Sequence, residues 1–357
     1  MNKDNVVLLT GGTGFLGSYL LSLLLKNGNK VFAISRKNNT YSAVGRIKNA
    51  ILFWDERIDE KLFNNLHVIE ADISSIKLSS FPGDVIDEID TIIHCAAVPD
   101  IKLSLESSRM INVVGTRNLL DIALECRRNG KPIKFNHVST AYIVGKKQGI
   151  EFDEDMRNVA QEFHNSYEMT KFEAEMLVED YLSSGLDISI FRPSMVTGEL
   201  LTGKTNNFRL FFQPLHFFSQ DLFDEFPINP AATFNLISID AVCKAILLLS
   251  RRKGYSCYHL TSSYEITTSF LLGVASKHFN FKKPKFVDVA SFDLSKWTPV
   301  QRALSAPFIP YFNFTTKFIS NKTQAILSKE FGFNFPKIDE TYLNTMFAFA
   351  KTAGFIR

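Results

Sequence analysis

The chain has 357 residues, 45% of them hydrophobic and 22% charged, with a formal net charge of +3. That composition excludes a disordered or collagen-like chain. The weak charge, with no block of Lys and Arg, excludes a nucleic-acid-binding tail.

Val6-Val7-Leu8-Leu9 reads as a short buried strand that runs straight into glycines. A helix is expected over Phe15 to Lys26, followed by a second strand at Val31 to Ile34. Further strands are expected at Leu66 to Glu70, Thr91 to Cys95, Ile133 to Val138 and Ile188 to Phe191. Helix-length patterns over Leu105 to Arg128 and Ser166 to Ser183 separate the later ones. Strand alternating with helix in this way argues for a Rossmann-like α/β fold, a doubly wound parallel sheet covered on both faces. The expected division is a dinucleotide-binding core over 1–198 and a smaller, mixed, mainly substrate-binding region over 199–357. Residues 235–262 are expected to return to the core. Phenylalanine marks the same boundary: of 33 Phe, 24 lie in 191–357, and residues 200–235 read as irregular and Phe-rich. Tyr342 to Phe355 reads as a last helix packed on the core rather than on a membrane.

Thr10-Gly-Gly-Thr-Gly-Phe-Leu-Gly17 joins the first strand to the first helix. Gly11 permits the tight turn, Gly14 lets backbone approach a pyrophosphate, and Gly17 allows close helix–strand packing. The helix N-terminus, from Thr13 through Phe15 and Leu16, offers N–H donors to phosphate. No Lys stands at the Walker position. The second strand ends in Ile34-Ser35-Arg36-Lys37, with no acid to hold a ribose 2′-hydroxyl. Arg36 and Lys37, with Arg46 close behind, can neutralise a 2′-phosphate, so NADPH is the expected cofactor.

Tyr167 and Lys171 stand at i and i+4, on one helix face. An ammonium beside a phenol favours the phenolate, so a lowered Tyr167 pKa is expected, suited to proton transfer. A second match, Tyr142 to Lys146, contains Gly145 and lies just past a strand end, so no helix aligns it. His137-Val-Ser-Thr140 ends a predicted strand, where the hydroxyl of Ser139 or of Thr140 can reach an oxyanion or simply serve a turn.

Four cysteines, Cys95, Cys126, Cys243 and Cys257, show no Cys-x-x-Cys spacing, which leaves no zinc ribbon or redox motif. His94, His137 and His164 are scattered, and no metal is expected. Met1 to Asn5 has no signal-peptide layout, and no apolar run approaches the ~20 residues of a membrane span. The expectation is a cytoplasmic protein.

Seven segments then fall in a recognisable order: the glycine loop, Ala71-Asp-Ile-Ser74, Ile93-His-Cys-Ala-Ala97, Asn112-Val-Val-Gly-Thr116, His137-Val-Ser-Thr140, Tyr167-x-x-x-Lys171 and Phe191-Arg-Pro-Ser-Met-Val-Thr-Gly198. The order resembles an extended short-chain dehydrogenase/reductase over about residues 6–275. Val138-Ser-Thr-Ala141, Arg192 to Gly198 followed by Thr202-Gly203 and Asn206, Asn235 to Asp240 and Tyr258 to Thr261 are similar to the thioester-reductase branch. That branch holds terminal reductase domains of nonribosomal peptide and polyketide synthetases, carboxylic acid reductases and fatty acyl-CoA reductases.

The resemblance implies roles. Thr140 takes the hydroxyl position, with Ser139 as the fallback, Tyr167 is the acid, and Lys171 binds the ribose and modulates Tyr167. Asp72 and Ile73 border the adenine, Ala96 and Ala97 line the cofactor cleft, and Pro193 to Val196 face the nicotinamide. It also implies NADPH-dependent reduction of an acyl thioester, on a phosphopantetheinyl carrier protein or coenzyme A, to an aldehyde and possibly on to an alcohol. Ser194 stands where the branch usually has Gly, and the branch's acidic residues near Phe208 and Arg209 are missing; both departures touch the substrate rim. No adenylation or carrier domain is expected ahead of the first strand, so the thioester is expected to be made elsewhere. The eight Phe of 205–235, Phe208 and Phe212 among them, are expected either to line an acyl channel or to form a second core. Two other readings stay open: an epimerase/dehydratase or ketone reductase on the same fold, and an NADP-binding regulator without turnover.

Overall fold

The structure is a computed structural model that describes residues 5–100, 103–209 and 211–356. Met1–Asp4, which carry most of the N-terminal reading, lie outside the described residues. Seven strands form one sheet: β1 (Val6–Thr10), β2 (Lys30–Ser35), β3 (Leu66–Glu70), β4 (Thr91–His94), β5 (Lys134–Val138), β6 (Asp187–Pro193) and β7 (Ser256–Leu260). Their spatial order is β3-β2-β1-β4-β5-β6-β7, and every pairing is parallel. Both faces of such a sheet are covered, which is why its strands read as apolar runs rather than alternations. Val7 to Thr10 and Val31 to Ser35 are buried throughout.

The helices α1 (Phe15–Lys26), α2 (Ala43–Trp54), α3 (Gly115–Arg128) and α4 (Ser166–Asp180) follow the strands. The helical stretch expected from Leu105 is interrupted by a π-turn at Met110–Val114 before α3 begins. Residues 200–235 are less irregular than their composition suggests. They contain α5 (Phe212–Ser219), whose interior Pro214 and clustered Phe hide any helical period.

Residues 235–262 supply three pieces that join the sheet layer. Leu236–Ser238 pairs with Met195–Thr197, α6 (Ile239–Leu249) follows directly, and β7 closes the sheet edge. The rest of the C-terminal part combines α7 (Thr268–Phe279), α8 (Glu340–Thr352) and short two-stranded pieces, including Glu225–Pro227 with Lys285–Val287. Its core is aromatic. Phe211, Phe212, Phe218, Phe226 and Phe312 share one cluster with Leu343, Met346 and Phe347 of α8. Each fully buried Phe stabilises by about 2–3 kcal/mol, so this second core is a principal source of the region's cohesion. Among the described residues no helix is long and apolar enough to cross a membrane.

Candidate active site

The sheet order reverses between β1 and β4, and the loops after those strands diverge there to leave a crevice. Gly11 crosses it with φ +77°, and a Cβ at Gly11 would lie 2.7 Å from Ala96 N. A Cβ at Gly17 would meet Gly11 O at 2.2 Å. The loop therefore lies directly on the β4 exit, and only glycine permits it. Gly14 caps α1 with no side-chain hydrogen bond, which leaves the N–H groups of the first turn free to bind an anion.

A cavity of about 260 Å³ opens beside this loop. Gly11, Gly14, Phe15, Leu16, Gly17, Ala97, Pro193 and Val196 line one side of it, and Ser139, Thr140, Tyr167 and Lys171 also border it. Ala96 sits behind that wall, its N–H donating to Thr10 Oγ1 at 3.1 Å. Arg46 donates to Thr13 Oγ1 at 3.4 Å and to the Arg36 carbonyl at 2.7 Å, which ties Arg46 to the glycine loop and to the β2 exit. Arg36 is paired with Asp72 at 3.0 Å, and Asp72 also accepts from Ser74 N at 2.9 Å. Ile73 packs against Gly115, where a Cβ would approach it to 2.8 Å. Lys37 departs from the expected cluster. It faces Glu70 on β3 at 3.6 Å, drawn outward by that carboxylate.

Thr140 follows the end of β5, where its Oγ1 accepts from Tyr142 N at 3.2 Å and donates to Pro193 O at 3.4 Å. Among the described residues no partner bonds the hydroxyls of Ser139 and Ser194, 3% and 5% exposed. Buried orphan hydroxyls on a cavity wall are groups that a bound molecule can satisfy.

Tyr167 and Lys171 project from α4 one turn apart. Lys171, 2% exposed, donates to Val138 O at 2.7 Å and lies 3.3 Å from His137 Nε2. The expected lowering of the Tyr167 pKa is not found. Burial, and then the Glu168 carboxylate, push it up to about 12, with the Thr140 hydroxyl pulling it back. Lys171 is engaged with the β5 carbonyl, and burial lowers its own pKa to about 8, opposed by Glu175. Tyr167 is thus protonated at neutral pH, the form a proton donor needs.

His94 is a strut. It bridges Thr10 Oγ1 at 2.7 Å and Thr116 Oγ1 at 2.9 Å, and burial lowers its pKa to about 3. Among the described residues no group of three or more His, Cys, Asp or Glu is placed to hold a metal.

Phe212 lines the cavity, together with Phe211, Leu215, Phe234, Leu271, Phe308 and Phe312. Phe208 does not. Its ring stacks on Phe355 at 4.6 Å and lies parallel to Phe349 at 6.4 Å, so it packs the C-terminal helix instead. Sequence reasoning missed Tyr142, Glu168 and Tyr311, all on the cavity wall. Glu168 directly follows Tyr167, and Tyr142 belongs to the rejected second Tyr–Lys match. Lys146 of that match turns out to the surface and pairs with Glu162 at 3.1 Å. Tyr311 sits in an aperiodic stretch that carries no signal.

Residues 9–246 match the NAD-binding family described as Male sterility protein. The chain is 29% identical over 267 residues to the L-2-aminoadipate reductase large subunit of Candida glabrata, a match covering 68% of this chain and 19% of that protein. It thus spans about a fifth of that relative's length. The crystal structure of the terminal R domain from the myxalamid PKS-NRPS biosynthetic pathway is similar, with a TM-score of 0.81 and 22% identity over 100% of this chain and 93% of that one. UDP-glucuronic acid 4-epimerase from Bacillus cereus, in complex with UDP-glucuronic acid and NAD, is similar with a TM-score of 0.69 and 18% identity, over 98% and 99% of the two chains. These two likenesses establish the shared fold.

Proposed function

The chain belongs to the NAD-binding Male sterility protein family, and from that premise we propose that it is an NADPH-dependent reductase of acyl thioesters. One observation carries the reading: Thr140, Tyr167 and Lys171 border a single cavity with the glycine loop, and the same cavity is walled by Phe211, Phe212, Phe234, Phe308 and Phe312. An acyl chain suits such a wall, whereas a sugar nucleotide needs polar contacts that these rings do not offer.

The residues present fit a dinucleotide. Gly11 leaves a cradle that any Cβ would fill, the first turn of α1 has free N–H donors, and Arg46 reaches both Thr13 Oγ1 and the Arg36 carbonyl. The two arginines support the 2′-phosphorylated form. Bound there, NADPH supplies a hydride to the thioester carbonyl carbon.

The chain's own groups handle charge and proton. Thr140 and Tyr167 donate hydrogen bonds to the carbonyl oxygen as it gains negative charge. Tyr167 Oη gives it a proton, forming a thiohemiacetal. The C–S bond then breaks to leave an aldehyde and a free thiol. Lys171, held by Val138 O, keeps a positive charge beside the reacting groups below its pKa of about 8. The thioester is carried on a pantetheine arm, of a carrier protein or of coenzyme A.

The test is Tyr167→Phe. Thioester-dependent NADPH oxidation falls by about 100-fold or more, while NADPH affinity measured by fluorescence titration is retained. Unchanged turnover removes Tyr167 from the chemistry. Turnover of UDP-sugars in place of thioesters replaces the reading with an epimerase or dehydratase, the activity borne by the Bacillus cereus neighbour's name.

A further inference from the structure

Two charged side chains line the cavity among the described residues, Lys171 and Glu168. Lys171 has a place in the chemistry above; Glu168 enters it only by raising the Tyr167 pKa. It is 1% exposed. Its Oε1 accepts from Tyr311 Oη at 2.8 Å. Its Oε2 accepts from His164 N at 2.9 Å and faces His164 Nδ1 at 3.0 Å. A carboxylate offers about four lone-pair positions, so these three contacts leave one open, on Oε1. Among the described residues no Lys or Arg pairs with Glu168; its one ionic neighbour is His164.

Part of this arrangement is helix capping. Glu168 stands in the first turn of α4, its N–H donates to Asn165 Oδ1 at 3.0 Å, and its side chain returns to the His164 N–H. A neutral Gln caps a helix in the same way without the desolvation cost of a buried charge. Capping therefore explains the position of the side chain and leaves its charge unexplained.

The aromatic neighbours supply the rest. Tyr142 and Tyr311 line the same cavity with ring centroids 5.7 Å apart at 79°. Burial and then Glu168 push both phenols up, and Glu265 adds to the negative field at Tyr142. A buried carboxylate with a free lone pair beside two tyrosine rings on one cavity wall is chemistry that holds an ammonium group.

We infer that Glu168, Tyr142 and Tyr311 form a binding site for a primary ammonium carried by the acyl part of the substrate. The substrate class is then an aminoacyl thioester rather than a plain fatty acyl thioester. This inference rests on the thioester-reductase reading for its substrate, and on the cavity alone for its cation.

The experiment uses the full chain and its Glu168→Gln variant, which keeps the capping acceptor and removes the charge. Pantetheine thioesters of straight-chain acids bearing an amine at the α-carbon or at the chain end are each paired with the isostere that has methyl in place of the amine. In the unaltered protein at least one amine is preferred over its isostere in kcat/KM by about 10-fold or more. In Glu168→Gln that ratio falls to near one. A ratio at or below one for every pair, or one that survives in Glu168→Gln, overturns the inference; structural damage alone lowers both members of a pair and leaves the ratio in place. A second measurement needs no turnover and no variant: calorimetric titration of the protein with primary alkylamines against the matching alcohols. Amine binding at least about 10-fold tighter than the alcohol upholds the site even if no thioester is reduced, an outcome in which the reductase reading fails and this one stands. Equal affinities overturn it.

Discussion

Lys171 donates its ammonium proton to the carbonyl of Val138 at 2.7 Å, so the helix that carries Tyr167 is tied to the last residue of the strand that delivers Thr140. The tie is made by a buried cation, and its cost has a pH signature. Burial lowers the folded-state pKa of Lys171 from 10.5 to about 8. Below about 8 both folded and unfolded chains carry the proton, and the folded one bears the full cost of burial. Between about 8 and 10.5 the unfolded chain binds more protons, so this group makes stability rise with pH. Urea denaturation of the natural chain and Lys171→Met is the check. From about pH 7 to pH 9.5 the natural chain gains on the order of 2 kcal/mol relative to the variant. A constant difference removes the burial cost.

Glu175 stands one turn beyond Lys171 and is fully buried against the guanidinium of Arg192. That guanidinium also donates to Met156 O at 2.8 Å, contacts His259 Nε2 at 3.2 Å and lies 5.3 Å from the centroid of Phe152. Removing one partner leaves an uncompensated buried charge, so Glu175→Gln costs about 3–5 kcal/mol. Glu175 also raises the Lys171 pKa, against the lowering by burial. The variant therefore loses thermal stability, and the alkaline limb of its kcat/KM profile moves to lower pH. A stability loss with an unmoved pH profile makes the pair a fold element alone.

Arg46, on α2, reaches Thr13 of the glycine loop and the Arg36 carbonyl at the β2 exit, while the Arg36 guanidinium is held by Asp72. Arg46→Ala weakens NADPH binding by about 10-fold and leaves NADH binding close to its original value, because only the phosphorylated ribose needs the charge. Lys37→Ala has a smaller effect, since Lys37 faces Glu70. Fluorescence titration with both nucleotides checks this. An equal loss for NADH assigns Arg46 to the loop's architecture.

Phe212 and Phe208 are near neighbours with different duties, their rings 5.4 Å apart. Phe212 is on the cavity wall, and Phe208 stacks on Phe355. Phe212→Leu changes the ranking of acyl chains in kcat/KM. Phe208→Leu lowers the melting temperature and leaves that ranking as it was. Identical rankings for both variants return Phe212 to the core.

The doubly wound sheet was legible because parallel strands buried on both faces leave continuous apolar runs, as at Val7–Leu9 and Val31–Ile34. Gly11, Tyr167 and Lys171 were legible because their spacing reflects local geometry. Three features were not. The Tyr167 pKa is set by burial and then by Glu168, while Lys171 is engaged by a carbonyl on β5 more than 30 residues upstream. The separate fates of Phe208 and Phe212 depend on Phe355, far along the chain. Tyr311 meets Glu168 across 143 residues, a contact no local pattern encodes.

The stoichiometry of one reaction decides whether this chain reduces acyl thioesters. The protein, NADPH and an acyl-pantetheine thioester are mixed, and NADPH loss, free thiol and aldehyde are measured together. Equal amounts of oxidised NADPH, released thiol and aldehyde are predicted, with further NADPH loss only as aldehyde becomes alcohol. NADPH oxidation with a ketone or UDP-sugar, and no thiol released from any thioester, contradicts the account.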